Sequence, residues 1–176
     1  MTSLPLHPAI VHLPLGLAFV IPALAVGFAW ALWRGRIRQR AWIAIPALQA
    51  VLLTAGLAAM NTGEREEDRV ERIVPEAAIE QHEEYAEQFV WATGLTLLPA
   101  VLVLAFRKPA LARAMAALTV AGSFVVAAAA VRVGHAGGQL VYVHNAGAAY
   151  AVAGQQVTRD AAPIAAEGRQ HADDDR

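Results

Sequence analysis

The chain has 176 residues, of which 57% are hydrophobic and only 16% charged, with a mean hydropathy of +0.41 and a formal net charge of −1. That balance sets it among membrane proteins with a single domain, and no basic stripe for nucleic acid lies beyond two short arginine-rich loops. It has no cysteine, which excludes disulfides, thiolate-bound zinc, iron–sulfur clusters and covalently attached haem.

Four apolar segments follow one another along the chain, at residues 9–33, 41–60, 89–106 and 115–131. Each is long enough to cross a bilayer as a helix. The first opens on His7-Pro8-Ala9-Ile10-Val11-His12-Leu13-Pro14, and His12 is its only ionisable group; the other three contain no charge. No basic region precedes the first segment and its apolar run is too long for a signal-peptide core, so it reads as a retained span. Pro14, Pro22, Pro46 and Pro99 predict kinks that neighbouring helices can accommodate. Gly16, Gly27, Gly56, Gly94 and Gly122 offer small surfaces for helix packing, as does the alanine stretch at 127–130. Trp30, Trp33, Trp42 and Trp91 fall near span ends, as aromatic belts require. Thr54, Thr93, Thr96, Thr119 and Ser123 read as packing hydroxyls.

The connections set the orientation. Arg34, Arg36, Arg38 and Arg40 crowd the first, and Arg107, Lys108 and Arg113 crowd the third, so both should be cytoplasmic. Seven further basic residues lie on the opposite side, spread over a longer loop and the tail, so density rather than number carries the argument. Both termini then face outward, together with all 15 carboxylates and all six histidines. The loop at 61–88 reads as partly helical: Pro75 starts a helix with Glu76 in its first turn, running unbroken into the third span. Ile79, His82, Ala86 and Phe89 recur along it at helical spacing, which turns His82 inward while Glu80, Glu84 and Glu87 point elsewhere.

Counted from the cytoplasmic ends of their helices, His7 stands 26 residues up, His82 24 and His135 25, with His12 at 21. At about 1.5 Å per residue the first three share one layer and His12 lies about one turn deeper. Beyond the fourth span, Gly134, Gly137 and Gly138 should end the helix and let the chain fold back, returning His144 to the same mouth. The competing reading of His144 is a solvated loop histidine. Arg132 either snorkels to the interface or pairs with an anionic group such as a haem propionate. The expected organisation is a transmembrane domain at residues 1–152 followed by a disordered polar tail at 153–176, which holds His171.

The stretches HPAIVHLP, NTGEREEDRVER, EQHEEYAEQF and GHAGGQLVYVH, in that order over about residues 4–150, resemble one bacterial membrane family, domain of unknown function 2231. The resemblance implies a four-helix membrane domain, joined in some chains to cytochrome-type or Rieske-type modules. Its motif histidines correspond to His7, His12, His82, His135 and His144. Asn145 departs from the pattern, where glycine more often follows the last histidine.

The fold class read from the sequence is an all-α, up-down four-helix bundle in the bacterial inner membrane, with both termini on the periplasmic side. Three functions fit. The first is electron transfer by non-covalent haem b, with His12, His82 and His135 as the ligand candidates, Arg132 at a propionate and a periplasmic or membrane redox protein as partner. The second is a copper or zinc site drawn from His7, His12, His82, His135 and His144, assisted by Glu83 or Glu84, for which equal heights are the natural arrangement. The third is a structural or assembly subunit whose histidines form a hydrogen-bonded cap. Nothing marks catalytic residues: there is no nucleophile–base pairing, no phosphate-binding glycine loop and no Glu-x-x-His motif.

Overall fold

In the computed structural model, which describes residues 6–150, the first apolar run forms α1 (Leu6–Ile10) and α2 (His12–Trp33). Pro14 has no N–H to offer Ile10, which breaks the hydrogen-bond ladder between them. Val11 N–H still donates to the His7 carbonyl and Leu15 N–H to that of Val11, at 3.1 and 3.2 Å, so α1 and α2 form one rod of 28 residues. Gly35 turns the chain after α2 with φ of +65°, a left-handed conformation that favours glycine.

A 3₁₀ turn, Gln39–Ile43, leads into α3 (Ala44–Val70), followed by α4 (Glu76–Ala105) and α5 (Pro109–Tyr142). Four rods are thus long and apolar enough to cross a membrane, and the described residues contain no strand. Each rod packs on its chain neighbour and α5 closes the ring against α2. The fold is the expected all-α four-helix bundle. The tail at 153–176, with His171, lies outside the described residues.

Small side chains fill the core. Ala25, Ala29, Ala100, Ala112 and Ala116 surround Trp42 and Ile45 toward the arginine-rich end, while Ala18, Ile21, Leu52, Phe89, Val126 and Ala130 fill the middle. Alanine at these positions lets backbones approach, which is how membrane helices gain contact without a hydrophobic driving force. Of the glycines expected at packing surfaces, two act so: a Cβ on Gly122 would lie 2.6 Å from Thr96 Oγ1, and one on Gly56 3.3 Å from the Phe89 ring. Gly16, Gly27 and Gly94 have nothing within 4 Å of that position. Thr93, Thr96, Thr119 and Ser123 each donate to a carbonyl of their own helix at 2.7–2.8 Å, which satisfies the hydroxyls inside the bundle.

Three expectations are corrected. Trp42 is fully buried, its indole N–H donating to the Ala100 carbonyl at 3.0 Å, so it plugs the core instead of joining an interfacial belt. Pro46 sits in the first turn of α3, where a missing N–H costs nothing, so it needs no kink. The glycines at 134, 137 and 138 do not end α5, which continues to Tyr142. The turn comes at Asn145, with φ of +55°. Asparagine enters the left-handed region more readily than other residues with a Cβ, so it can stand where a glycine would serve.

Candidate functional site

The extension of α3 beyond the apolar run builds the histidine site. Ala59, Thr62, Gly63 and Glu66 recur at three- and four-residue spacing and line one face of that helix. α1 docks against this face. His7 Nδ1 lies 2.8 Å from the Ala59 carbonyl and 3.4 Å from Thr62 Oγ1. A carbonyl can only accept, so Nδ1 carries the proton and Nε2 presents a lone pair. Gly63 makes the space: a Cβ there would stand 3.3 Å from Cε1 of His7.

His82 enters from α4, on the inward stripe that also buries Ile79 and Phe89. Its ring lies against α5, where a Cβ on Gly137 would fall 3.1 Å from Cε1. Its Nδ1 is buried without a hydrogen-bond partner. The two imidazoles face each other with ring centroids 6.3 Å apart and planes at 89°. Two glycines on opposite helices thus each open room for one imidazole of the pair.

Other candidates sit differently. His12 and His135 are exposed, and His135 Nε2 lies 3.3 Å from Gln139 Nε2 one turn along its own helix. His144 is half-buried just before the Asn145 turn. Arg132 is exposed, its guanidinium 5.3 Å from the centroid of Tyr85, one turn below His82 on α4. Among the described residues, no three His, Cys, Asp or Glu side chains come together as a metal-holding group.

Glu66 closes the mouth. One carboxylate oxygen accepts from Leu6 N–H at 3.1 Å and the other from the Tyr150 hydroxyl, so a single side chain binds both ends of the described chain. Arg69, one turn on, places its guanidinium 5.6 Å from the Tyr150 ring centroid. Burial, with Glu66 beside it, pushes the Tyr150 phenol up to about 12. Val74, Ile79 and Ala146 form a small apolar cluster beneath this contact.

Sequence reasoning placed His7 and His82 at one level but missed Ala59, Thr62, Gly63, Glu66 and Gly137. The signal was the 3–4 spacing on α3, legible once the charged stretch after Met60 is read as helix. The sequence pattern of the DUF2231 family, described as a predicted membrane protein, matches residues 3–150. No curated protein and no solved structure matches the chain.

Proposed function

Since this chain belongs to the DUF2231 family of predicted membrane proteins, we propose that it is a multi-pass electron-transfer subunit binding haem b between His7 and His82. The observation that carries this reading is the pair itself. The two imidazoles, with ring centroids 6.3 Å apart, come from the helices that would hold the group between them.

The surrounding groups support the same reading. Donation of Nδ1–H to the Ala59 carbonyl is the outer contact a ligating histidine needs: it fixes the tautomer and raises the basicity of Nε2. The unpartnered Nδ1 of His82 is a buried polar atom with unused bonding capacity. The cradles at Gly63 and Gly137 leave the rings space that any larger side chain would take. Arg132, with its guanidinium edge exposed beside Tyr85, suits a propionate. When bound, haem supplies one-electron chemistry, and the helices supply its apolar walls. With the arginine-dense loops inside, the pair faces the periplasm of an inner membrane, within reach of a periplasmic or membrane redox partner.

The test is the absorption spectrum of the purified protein, oxidised and reduced, with metal analysis on the same sample. A sharp reduced α-band with stoichiometric iron is expected, lost in His7→Ala and in His82→Ala and kept in His12→Ala and His135→Ala. No iron and no Soret band after haem-supplemented expression overturns the reading. Loss of haem on changing His12 and His135 instead moves the ligands to that pair.

A further inference from the structure

The opposite end of the bundle carries a second cluster, which the histidine site does not use. Arg34, Arg36, Arg38, Arg40, Arg107, Lys108 and Arg113 are all exposed there, and every carboxylate among the described residues lies between positions 64 and 87, at the histidine end. Seven cations therefore gather with no internal counter-charge. Two of them are held in a fixed relation: Arg34 and Arg36 both stand over the ring of Trp30, their guanidinium carbons 5.9 and 4.4 Å from its centroid.

The backbone enforces this arrangement. Arg34 N–H donates to the Trp30 carbonyl at 3.0 Å, and Arg36 N–H to that of Ala31 at 2.9 Å, across the left-handed turn at Gly35. Cation–π contact orients each guanidinium but leaves its N–H edge free, and among the described residues neither donates to a side chain or a carbonyl. Two planar donors gathered around one indole, with no acceptor for them among the described residues, match a phosphate, which takes bidentate bonds from guanidinium.

The surroundings identify the source of that phosphate. Trp30 and Trp33 are about half exposed, and below them Val26 and Phe19 continue an exposed apolar stripe on the outer face of α2. An indole at headgroup depth above an apolar stripe suits a lipid whose phosphate lies in the arginine fork and whose chain runs down the helix. We propose that Arg34, Arg36 and Trp30 form a headgroup site for the phosphodiester of an anionic phospholipid.

The test is native mass spectrometry of the delipidated full chain in detergent, titrated with phosphatidylglycerol, phosphatidylcholine or inorganic phosphate. Phosphatidylglycerol should bind in preference to phosphatidylcholine, and each of Arg34→Gln and Arg36→Gln should weaken it roughly fivefold. Arg38→Gln/Arg40→Gln, with unchanged helix content by circular dichroism, should keep the preference. Equal binding of the two lipids, or an equal loss in the Arg38/Arg40 variant, overturns the site. Displacement of the lipid by inorganic phosphate at matched concentration assigns the fork to free phosphate and overturns the lipid.

Discussion

Gly137 and Gly138 are neighbours on α5 with opposite surroundings, and replacing each by alanine separates two effects usually tangled together. A Cβ at 137 would stand 3.1 Å from Cε1 of His82, whereas one at 138 meets nothing within 4 Å. Both positions lie inside a helix that continues to Tyr142, so alanine at either gains helix propensity of about 0.8–1 kcal/mol. Overpacking opposes that gain only at 137, at a typical cost of about 1–3 kcal/mol. Gly138→Ala should therefore stabilise the protein, while Gly137→Ala should be neutral or destabilising, the two differing by about 1–3 kcal/mol. Unfolding in mixed detergent–dodecyl sulfate micelles, followed by far-ultraviolet circular dichroism, measures both. Combining Gly137→Ala with His82→Ala should remove the penalty at 137. Equal shifts in the two single variants would refute the placement of His82 against Gly137, and a destabilised Gly138→Ala would return the end of α5 to its glycines.

Three further outcomes are expected. Gly122→Ala, whose Cβ would fall 2.6 Å from Thr96 Oγ1 and 2.8 Å from Cγ2, should lose up to about 2 kcal/mol in the same unfolding assay once the helix-propensity gain is set against overpacking, with Thr96→Ala restoring most of it; a stabilised variant would mean α4 and α5 are not in such close contact. Gln49 is 2% exposed and its Oε1 has no partner, so Gln49→Leu should leave stability unchanged or raise it, since it removes a desolvation cost of about 1–3 kcal/mol; a clear loss of stability would show that the amide is satisfied in the membrane. The Tyr150 phenol, raised from 10.0 to about 12, keeps its proton in the folded chain where the unfolded chain would ionise. Its contribution to stability is intact below pH 10 and is lost as pH rises through about 12. Phenolate absorbance, taken as the difference between the protein and Tyr150→Phe, should show that late midpoint, and Glu66→Gln should bring it down toward the ordinary value; a midpoint that ignores Glu66→Gln would dissolve the contact.

The bundle was legible because long uncharged runs leave a chain few alternatives in a bilayer, and the start of α4 because Pro75 and Glu76 carry an ordinary helix signal. The inward turn of His82 followed from its spacing with Ile79 and Phe89. What escaped was the length of α3 and α5. After Gly63 the charged stretch of α3 contains neither glycine nor proline up to Val70, and its glutamates and arginines are good helix formers, with Arg65 and Asp68 at i,i+3 spacing. Charge suggested a loop where propensity continued the helix. In α5, Gly134, Gly137 and Gly138 looked like punctuation, but the helix runs through all three, with Gly137 packed against His82 and Gly134 against Leu15. The pairing of His7 with His82, and not with His12 or His135, depends on azimuth around each helix axis, which residue counting along the chain does not contain.

The carboxylate of Glu66 makes the two ends of the bundle mutually dependent. Fraying normally starts independently at each end of a helical bundle, but here Leu6 and Tyr150, the first and last described residues, are tethered to the same side chain, so release of one removes an anchor from the other. Between these residues the described chain closes on itself through this acid, in addition to the packing of α5 on α2. A short linker joining residue 150 to residue 6 would make that closure covalent without crossing the bilayer, and fresh termini could be opened in either of the two short connections at the arginine-rich end.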